Sequence, residues 1–577
     1  MHELTNNHFT TRDPGLMRLI LILMVVVAFQ LTSCDHVKKS DSASNTKADT
    51  LPLKAFQVNG AEQYIQSILE KGFIEEDGHK LYNPTILKEF YENRNYQPAW
   101  TDFHNIEDAF SSIYEIYDDG LEPQDYKYVE LYQYYGDFKS AKELNGEKFA
   151  RFDVLLSDAL LTSAAHMISG KIHPQSLKSQ WEIGVANYKD TYENVASMLQ
   201  KSINNKKVSV EFEKIKPSHY MYNGLKKALK EFRVYESNGG WEQIPDGKTL
   251  KEGDRDPRVG ALRRRLLASN EMEPYTPADS LVYDARLVVI MKMVQKKYGI
   301  EVDGNFGKGT LEALNIPVEY RIEQIKANLE RGRWVLHNLE NKYIAVNIPG
   351  FELYVIEDGL EVLTSPVMVG QYQTQTPIFK GTMQYLVFNP TWTVPRSLNG
   401  KYLQKLKTDL SFFDKENMEV VTYSGKIVDL ETTNWKKYTN ANFPFMFRQK
   451  PGKNNSLGVI KFMFPNEYSI YLHDTPSKGL FSRDIRAFSH GCIRTKEIYS
   501  LAEVLLEGNN EGWTTSKIKS EIATGETKTI NLKEKVPILL LYWTAGIGFN
   551  QNFYFKTDIY NRDDALIDAI NQPFEIQ

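Results

Sequence analysis

The spacing of the apolar residues changes once along the chain, and this change limits the fold more than any other feature. From residue 57 to residue 250 apolar side chains recur at helical spacing, as in FDVLLSDALLTSAAHMISG. From residue 341 they alternate with polar residues, as in KYIAVNIPGFELYVIEDGLEVLTSPVMVG. The 577-residue chain is therefore predicted to be a multidomain α+β protein, with a helical scaffold domain at residues 57–250 and a β-rich domain at residues 341–577.

A compact segment with three predicted helices, residues 251–316, lies between these two parts. Its helices lie in DPRVGALRRRLLASNEM, in YDARLVVIMKMVQKKYGI and from about Thr310, after a turn at Asp303-Gly304. The side chains predicted to face inward are Val259, Leu262, Leu266 and Leu267 in the first helix and Leu287, Ile290, Met291 and Val294 in the second. Residues 317–340 are predicted to form a helical connector.

The β-rich domain begins with a predicted hairpin. Asp358-Gly359 separates two alternating runs, and this dipeptide favours the positive φ angles of a tight turn. Further strands are predicted in MQYLVFNPTWTVP, GVIKFMFP, YSIYLHD and VPILLLYWTA. Residues 401–449 are polar and aromatic and interrupt the strand pattern, so we predict a lid-like insertion there.

Residues 1–34 are typical of an export signal. Arg18 precedes an apolar run that is too short to span a bilayer and has the length of a signal-peptide core. The LTSC that follows, ending at Cys34, resembles the lipobox of bacterial lipoproteins, in which the cysteine becomes the lipidated first residue. Residues 35–56 are rich in Ser, Lys and Asp, and we predict a flexible tether that joins a lipid in a membrane to the folded body.

Charge and cysteine usage narrow the possible partners. The formal net charge is −5, so the basic surface of a nucleic-acid-binding protein is missing and no nucleic acid is expected. The chain holds 2 cysteines. If Cys34 carries lipid, then Cys492 has no disulfide partner within the chain, and an exported lone thiol is either buried and inert or kept for chemistry.

The surroundings of Cys492 favour chemistry. Cysteine attacks as its thiolate and needs a base, and the two nearby histidines are His473, at the end of a predicted strand, and His490 in SHGCIR. The base must be held in one tautomer, for which Asp474 and the backbone after it are the local candidates. Gly491 lets a substrate carbonyl approach, and the amides of Gly491 and Cys492 are predicted to point at an oxyanion.

Three alternatives remain at this point. Cys492 could be an inert core cysteine. His473, His490 and Cys492 could bind zinc, although His-x-Cys is a poor ligand spacing and no Cys-x-x-Cys or His-Glu-x-x-His occurs in the sequence. The thiol could also form an acyl-enzyme that reacts with water instead of an amine.

The stretch HDTPSKGLFSRDIRAFSHGCIRT resembles the signature of the L,D-transpeptidases. The order of segments, with NIPGFELYV, NPTWTVP and RQKPGKNNSLGVIKFMFPN, is similar to that of the large multidomain members of Gram-negative bacteria. VGALRRRL and VQKKYGIEVDGNFGKGTLEALN within residues 251–316 resemble the small peptidoglycan-binding domain of cell-wall enzymes. The resemblance implies a lipoprotein whose residues 341–577 form the catalytic domain.

By resemblance, the substrates are peptidoglycan tetrapeptide stems, both as donor and as acceptor. Cys492 would attack the carbonyl of the third stem residue, D-alanine would leave, and the acyl group would pass to a second stem as a 3→3 cross-link. His473 would be the base, and Gly491 with Cys492 the oxyanion site. The supporting or substrate-binding residues expected are Asp474, Tyr471, Ser489, His490, Arg494 and Trp392.

The resemblance also implies that the reaction needs neither a metal nor an organic cofactor. The protein is expected in the periplasm, anchored by lipid to a membrane, with the outer membrane favoured. Two further functions remain as alternatives: an L,D-carboxypeptidase that uses the same acyl-enzyme, and a catalytically silent, lipid-tethered scaffold that binds peptidoglycan.

Overall fold

The computed structural model describes residues 55–574 except 57, 75–78, 142, 178–180 and 184–187. The predicted signal segment and most of the predicted tether therefore lie outside the described residues. The last tether residue, Phe56, belongs to the folded body: its ring lies 4.4 Å from that of Phe103 and 5.6 Å from that of Phe149. Ala55–Gln577 form one compact unit.

The N-terminal part of this unit is helical, as predicted. Its helices are α1 (Ala61–Lys71), α2 (Pro84–Glu92), α3 (Phe103–Glu115), α4 (Tyr128–Ser140), α5 (Gly146–Ser169), α6 (Tyr188–Asn205), α7 (Val208–Lys214) and α8 (Tyr220–Ser237). Three short strands accompany them: β1 (Phe73–Ile74), β2 (His79–Lys80) and β3 (Trp181–Glu182). The side chain of Asn145 caps α5 by accepting a hydrogen bond from the amide of Lys148, and most of that helix is buried.

Three helices follow in the middle segment: α9 (Arg258–Ala268), α10 (Ala285–Lys297) and α11 (Lys308–Leu314). The inward-facing residues of α10 are predicted correctly, and so are Val259, Leu262 and Leu266 of α9. The prediction for Leu267 is wrong, because its side chain is 41% exposed. Consecutive residues of a helix point about 100° apart, so Leu266 takes the buried position and leaves Leu267 outside the apolar stripe.

The predicted connector is a central helix, α12 (Val318–Val335), that is buried along nearly its whole length. It packs against α5, α8 and the C-terminal helix α17 (Asp563–Asn571). Its charged residues are paired inside the protein: Arg331 Nη1 lies 2.7 Å from Asp563 Oδ1, and Arg333 lies 2.5 Å from Glu330. Loss of one partner would leave an uncompensated buried charge, so these pairs fix the position of α12 between its neighbours.

The C-terminal end of the chain returns to the helical part. Lys171, which follows α5, is 3% exposed. Its ammonium group donates to the carbonyl oxygens of Ile570 and Gln572, at 2.6 and 2.8 Å, and to the carboxylate of Asp125 at 2.6 Å. A buried lysine needs such acceptors, and two of the three come from the last turn of α17 and the residue after it.

The β-rich part is built around a closed sheet. Its strands are β4 (Lys342–Asn347), β5 (Glu352–Glu357), β6 (Leu360–Gly370), β7 (Ile378–Phe388), β12 (Ile460–Met463), β13 (Leu472–His473), β15 (Ile493–Thr495) and β16 (Lys528–Leu541). They pair in the order β12-β13-β15-β6-β5-β4-β16-β7, and β7 also pairs with β12. This last pairing closes the sheet on itself, so these strands form a barrel without an open edge between them.

Further elements surround the barrel. They are β14 (Ala487–Ser489), β17 (Ala545–Ile547), β18 (Phe553–Phe555), α15 (Ile498–Leu506) and α16 (Thr515–Ala523). The predicted hairpin is confirmed: β5 and β6 pair antiparallel, and Asp358 and Gly359 have φ angles of 49° and 76°. The strand predicted in YSIYLHD is much shorter than expected, because Ser469 has a φ angle of 56° and only Leu472–His473 pair.

The segment predicted as an insertion has a hydrophobic cluster of its own. Its elements are β8 (Trp392–Thr393), α13 (Asn399–Thr408), α14 (Ser411–Lys415), β9 (Met418–Val421), β10 (Ile427–Val428) and β11 (Met446–Gln449). The four strands form a sheet in the order β10-β9-β11-β8, which is separate from the barrel. Phe413, Trp435 and Phe447 lie in this cluster, which does not merge with the main core. This separate sheet and its cluster start at β8, before residue 401, where the lid-like insertion is predicted to begin.

No helix among residues 55–574, as far as they are described, has the length and apolar character needed to cross a membrane.

Candidate active site

Three strands place a histidine between two cations. His473 on β13 pairs with Lys461 on β12 and with Arg494 on β15. Residues opposite each other on neighbouring strands project from the same face of a sheet. The next residues, Leu472 and Ile493, are fully buried and point into the barrel core. The row formed by Lys461, His473 and Arg494 therefore lies on the outer face of the barrel.

Cys492 lies beside this row, one residue before β15. It is half-buried, and the register of β13 and β15 places it next to Tyr471, whose carbonyl accepts from the amide of Ile493 at 3.1 Å. The thiol donates a weak hydrogen bond to the carbonyl of Ser469, at 3.7 Å. Cys492, Tyr471 and His473 therefore lie on the same face of the sheet at adjacent positions, as a nucleophile and its base must.

The imidazole of His473 is held in one tautomer by a backbone carbonyl. Its Nδ1 lies 2.5 Å from the carbonyl oxygen of Asp474. A carbonyl only accepts, so Nδ1 carries the proton and Nε2 keeps its lone pair. Of the two orienting groups that the sequence allowed, the backbone has this role. The Asp474 carboxylate contacts Lys478 and the amide of Val459 instead.

Both reacting groups are neutral in the resting protein. Burial, with the positive charges of Arg494 and Lys461, lowers the pKa of His473 to about 3. Burial raises the pKa of the Cys492 thiol above its usual range, although hydrogen bonds from Tyr471 and the charges of Lys461 and Arg494 act in the opposite direction. The site therefore holds a thiol and an imidazole rather than a thiolate and an imidazolium.

This charge state predicts an unusual pH dependence. The alkylation rate of Cys492 by iodoacetamide should rise about tenfold per pH unit from pH 6 to 8, because the raised thiol pKa lies above this range. No inflection is expected near pH 6.5, since the lowered pKa of His473 leaves it neutral throughout. The measurement is the rate of adduct formation against pH. An inflection near pH 6.5 that disappears in His473→Gln would contradict the neutral pair.

The loop before Cys492 is fixed by buried threonine and serine hydroxyls. Ser489 is buried, and its Oγ accepts from the amide of Gly491 at 3.1 Å. The Thr376 hydroxyl donates to the Gly491 carbonyl at 2.8 Å and accepts from the amide of Gly370 at 2.9 Å. Gly491 itself has a φ angle of 111°, which a side chain would disfavour. The Gly491 amide donates to Ser489 Oγ in this structure, and its role at an oxyanion stays a prediction.

The remaining predicted residues lie in different surroundings. His490 is exposed. No hydrogen bond to another described residue fixes the tautomer of its imidazole, as the role of a base would require. Arg494 flanks His473 on the side opposite Lys461. Trp392 lies on β8, in the sheet of the insertion, with its ring 6.2 Å from that of Tyr402. Trp392 packs against the hydrophobic cluster of its own sheet, whereas Cys492 packs against the main core.

The alternative of a zinc site finds no support in the arrangement of side chains. Within the described part of the chain, no three His, Cys, Asp or Glu side chains come together in a way that could hold a metal ion. His473, His490 and Cys492 are therefore not a preformed set of ligands.

Sequence reasoning missed Lys461 and Thr376. Lys461 reads as an ordinary outward-facing residue of GVIKFMFP, and its position beside His473 depends on a strand pairing that the sequence does not show. Thr376 is far from Cys492 in the sequence and follows a turn rather than a motif. A polar residue buried at 0% exposure is the structural signal that identifies it.

A half-buried thiol beside an imidazole whose Nε2 keeps its lone pair defines a candidate site for cysteine-based acyl transfer. Residues 341–525 match the family model of the L,D-transpeptidase catalytic domain, and residues 85–229 match that of a scaffold domain. The β-rich part of this chain is therefore similar to an L,D-transpeptidase catalytic domain, and it follows a helical N-terminal region.

Two curated proteins are similar to parts of the chain. A Haemophilus influenzae protein named "Putative L,D-transpeptidase" is 35% identical over 245 residues, which are 42% of this chain and 49% of that protein. The N-acetylmuramoyl-L-alanine amidase CwlL of Bacillus licheniformis is 41% identical over 68 residues, 12% of this chain and 19% of the amidase. The chain thus spans about half the length of the first relative and a smaller part of the second.

Solved structures of L,D-transpeptidases superpose only loosely. The structure from Xylanimonas cellulosilytica is 15% identical to this chain. The alignment covers 52% of this chain and 99% of that structure, with a TM-score of 0.17. The structure from Stackebrandtia nassauensis is 14% identical. Its alignment covers 52% of this chain and 97% of that structure, with a TM-score of 0.20. Superpositions at these scores add nothing to the assignment.

Proposed function

We propose that the protein is a peptidoglycan L,D-transpeptidase that forms 3→3 cross-links between tetrapeptide stems through an acyl-enzyme on Cys492. The observation that carries the proposal is the neutral imidazole of His473, fixed by the Asp474 carbonyl, on the same sheet face as Cys492 within a domain of this family. A general base that is neutral and held in one tautomer is what a thiol nucleophile requires.

In the first half-reaction, the Cys492 thiol turns from the Ser469 carbonyl towards Nε2 of His473. Its sulfur adds to the carbonyl carbon of the third stem residue while the thiol proton moves to Nε2. The C–N bond to D-alanine then breaks, and the imidazolium gives its proton to the leaving amine. Because both groups start neutral, proton transfer accompanies the attack and no thiolate accumulates beforehand.

The oxyanion formed on attack needs N–H donors. The amide of Cys492 is the donor we assign first, since the Gly491 amide already donates to Ser489 Oγ. Rotation of the buried Ser489 hydroxyl away from Gly491 would release a second donor in the transition state. Ser489 therefore acts on the oxyanion through Gly491, as a positioning residue.

In the second half-reaction, the side-chain amine of an acceptor stem attacks the thioester carbonyl while His473 takes a proton from the amine. The C–S bond then breaks, and the imidazolium returns the proton to the Cys492 sulfur, which restores the thiol. Water in place of the amine would give the L,D-carboxypeptidase reaction. Whether an amine or water attacks the thioester depends on which part of the protein covers the site. We assign this covering role to the insertion from β8 to β11. Its separate hydrophobic cluster supports this role, because the insertion can change position without disturbing the barrel core.

The proposal extends to the rest of the chain. The three helices α9 to α11 are proposed to bind peptidoglycan. Val289 and Met293, one turn apart on α10, are 60% and 59% exposed and give that helix an apolar outer face. Lipid on Cys34 would hold the protein at a membrane in the periplasm. Replacing Val289 and Met293 with glutamate should reduce co-sedimentation with purified sacculi while the reaction on a soluble stem is retained.

The test of the reaction uses the chain from Asp35 onward, which keeps the whole compact unit. It is incubated with a disaccharide tetrapeptide that has diaminopimelate as third residue, and the products are identified by mass spectrometry. A dimer that has lost one D-alanine supports the transpeptidase. A monomeric tripeptide would establish the carboxypeptidase. An unchanged substrate with a protein that sediments with sacculi would favour the silent scaffold.

A substitution at Thr376 tests the role of the loop. Thr376→Val keeps the side-chain shape but removes the hydroxyl that joins Gly370 to Gly491. Two buried backbone groups lose their partner, at a cost of about 1–3 kcal/mol each. We expect kcat to fall about tenfold and the melting temperature to decrease, whereas Thr376→Ser should restore both. Wild-type kcat in Thr376→Val would show that the hydroxyl does not position Gly491.

A further inference from the structure

We propose that Lys461 binds a carboxylate of the donor stem, together with Arg494, and so positions the stem against Cys492. This inference deepens the proposed function and depends on it for the identity of the ligand. The existence of a carboxylate site beside the thiol can be tested without it.

The geometry places both cations around the reacting groups. Lys461 and Arg494 flank His473 on either side in the strand pairing, and Arg494 lies two residues after Cys492 on the same sheet face. The ammonium group of Lys461 lies 3.9 Å from the centroid of the Tyr471 ring. The Lys461 side chain therefore extends from its place beside His473 towards Tyr471, the residue that lies next to Cys492.

Neither cation has an acidic partner in the part of the chain that the structure describes. No ion pair or hydrogen bond joins Lys461 or Arg494 to a carboxylate there, and Nε of Arg494 is buried without a hydrogen-bond acceptor. The neighbouring acid, Asp474, points to the opposite sheet face and contacts Lys478. Two positive charges beside each other in a partly buried site are unfavourable unless an anion joins them.

If Lys461 served only to pack against its neighbours, its positive charge would remain unexplained. The contact with the Tyr471 ring would be satisfied by a neutral methionine of similar length. Packing also leaves unexplained why two positive charges are kept beside a base whose proton affinity they reduce. A bound carboxylate would cancel that effect, so the base would become stronger only when the donor is in place.

The stem offers two carboxylates of the same chemistry. One is the terminal carboxylate of the residue that leaves, and the other is on the side chain of a third residue such as diaminopimelate. Both lie within one residue of the carbonyl that Cys492 would attack. The terminal carboxylate has a further consequence, since its release with the leaving residue would free the site for the acceptor.

The first test compares two alkylating reagents of nearly equal size on the chain from Asp35 onward. Iodoacetate carries a carboxylate and iodoacetamide does not, so the ratio of their rates at Cys492 measures attraction of a carboxylate and cancels changes in thiol reactivity. Lys461→Met should lower this ratio about tenfold, and Lys461→Arg should keep it. Lys496→Met removes an equal charge from a lysine that pairs with Glu497, and should leave the ratio unchanged.

An unchanged ratio in Lys461→Met, with an unchanged circular dichroism spectrum, overturns the proposal. If the variant does not fold, the proposal can be tested on the wild-type protein. Chloroacetate and acetate should each slow alkylation of Cys492 by iodoacetate more than they slow alkylation by iodoacetamide. Equal slowing of both reagents would equally overturn it. None of these readouts needs turnover, so they stand even if the transpeptidase reaction fails.

The second test identifies the carboxylate by protection of Cys492 from iodoacetamide. Lys461→Met should raise about tenfold the tetrapeptide concentration that gives half protection. If this effect disappears with a C-terminal amide stem, the terminal carboxylate is bound. If it disappears with lysine as third residue, the side-chain carboxylate is bound. An effect that persists with both altered stems would show that no stem carboxylate contacts Lys461.

Discussion

Replacement of Cys492 by serine should abolish both cross-linking and release of D-alanine, with a loss of at least about 10³-fold in kcat. The serine hydroxyl is a much weaker nucleophile than a thiol and holds its proton much more tightly, so the imidazole of His473 activates it far less well. The measurement is product formation from the disaccharide tetrapeptide, with mass spectrometry of the intact protein to detect the acyl-enzyme.

The control for this prediction is to show that the Cys492→Ser variant is folded like the wild type. Cys492 makes a weak contact with Ser469 and hydrogen bonds with Tyr471, and it packs at the edge of the main core, so the nearly isosteric serine should leave the melting temperature nearly unchanged. In the chain from Asp35 onward Cys492 is also the remaining cysteine, and iodoacetamide should add one label to the wild type and none to the variant. Cross-linking by Cys492→Ser at a rate near that of the wild type would remove the thiol from the mechanism.

Replacement of His473 by alanine should lower kcat by about 10²–10⁴-fold, which is the usual contribution of a general base. The matched control is His490→Ala, the same substitution two residues before Cys492. His490 is exposed, whereas His473 is 5% exposed and bonded to the Asp474 carbonyl. We expect His490→Ala to keep kcat within about fivefold of the wild type. Equal losses in both variants would reverse the assignment of the base.

Asp474→Asn separates the carbonyl of this residue from its carboxylate. The substitution keeps the backbone that orients His473 and changes only the side chain that contacts Val459 and Lys478. Stability should fall by about 1–2 kcal/mol, measured by urea unfolding, while the pH profile of alkylation stays that of the wild type. A loss of activity as large as that of His473→Ala would mean that the carboxylate itself acts on the imidazole.

Local signals in the sequence were sufficient for several parts of the fold and site. Asp358-Gly359 predicted its hairpin because a tight turn needs positive φ at both positions, and the apolar stripe of α10 predicted its buried face. Cys492 and His473 were singled out because a lone cysteine and a nearby histidine are unusual residue types at unusual positions, and their catalytic roles stay predictions. Each of these signals lies within a few residues of the feature that it predicts.

Features that depend on distant pairing could not be predicted in this way. The barrel closes because β7 pairs with β12, and Lys461 reaches His473 only through the pairing of β12 with β13. The helix α12, whose sequence is rich in charge, was predicted only as a helical connector between two domains. Its partners Asp563 and Thr544 are supplied by the far end of the chain, and they make that charge compatible with burial.

The capture of the C-terminal end by Lys171 bears on how the protein is made. A chain that emerges N-terminus first exposes α5 and Lys171 long before Ile570 and Gln572 have left the ribosome. Until then the ammonium group lacks two of its acceptors, and the groove for α17 on α12 is open to solvent. The helical region is therefore expected to become resistant to protease only after synthesis is complete, and a chain truncated before residue 563 should remain a substrate for quality-control proteases.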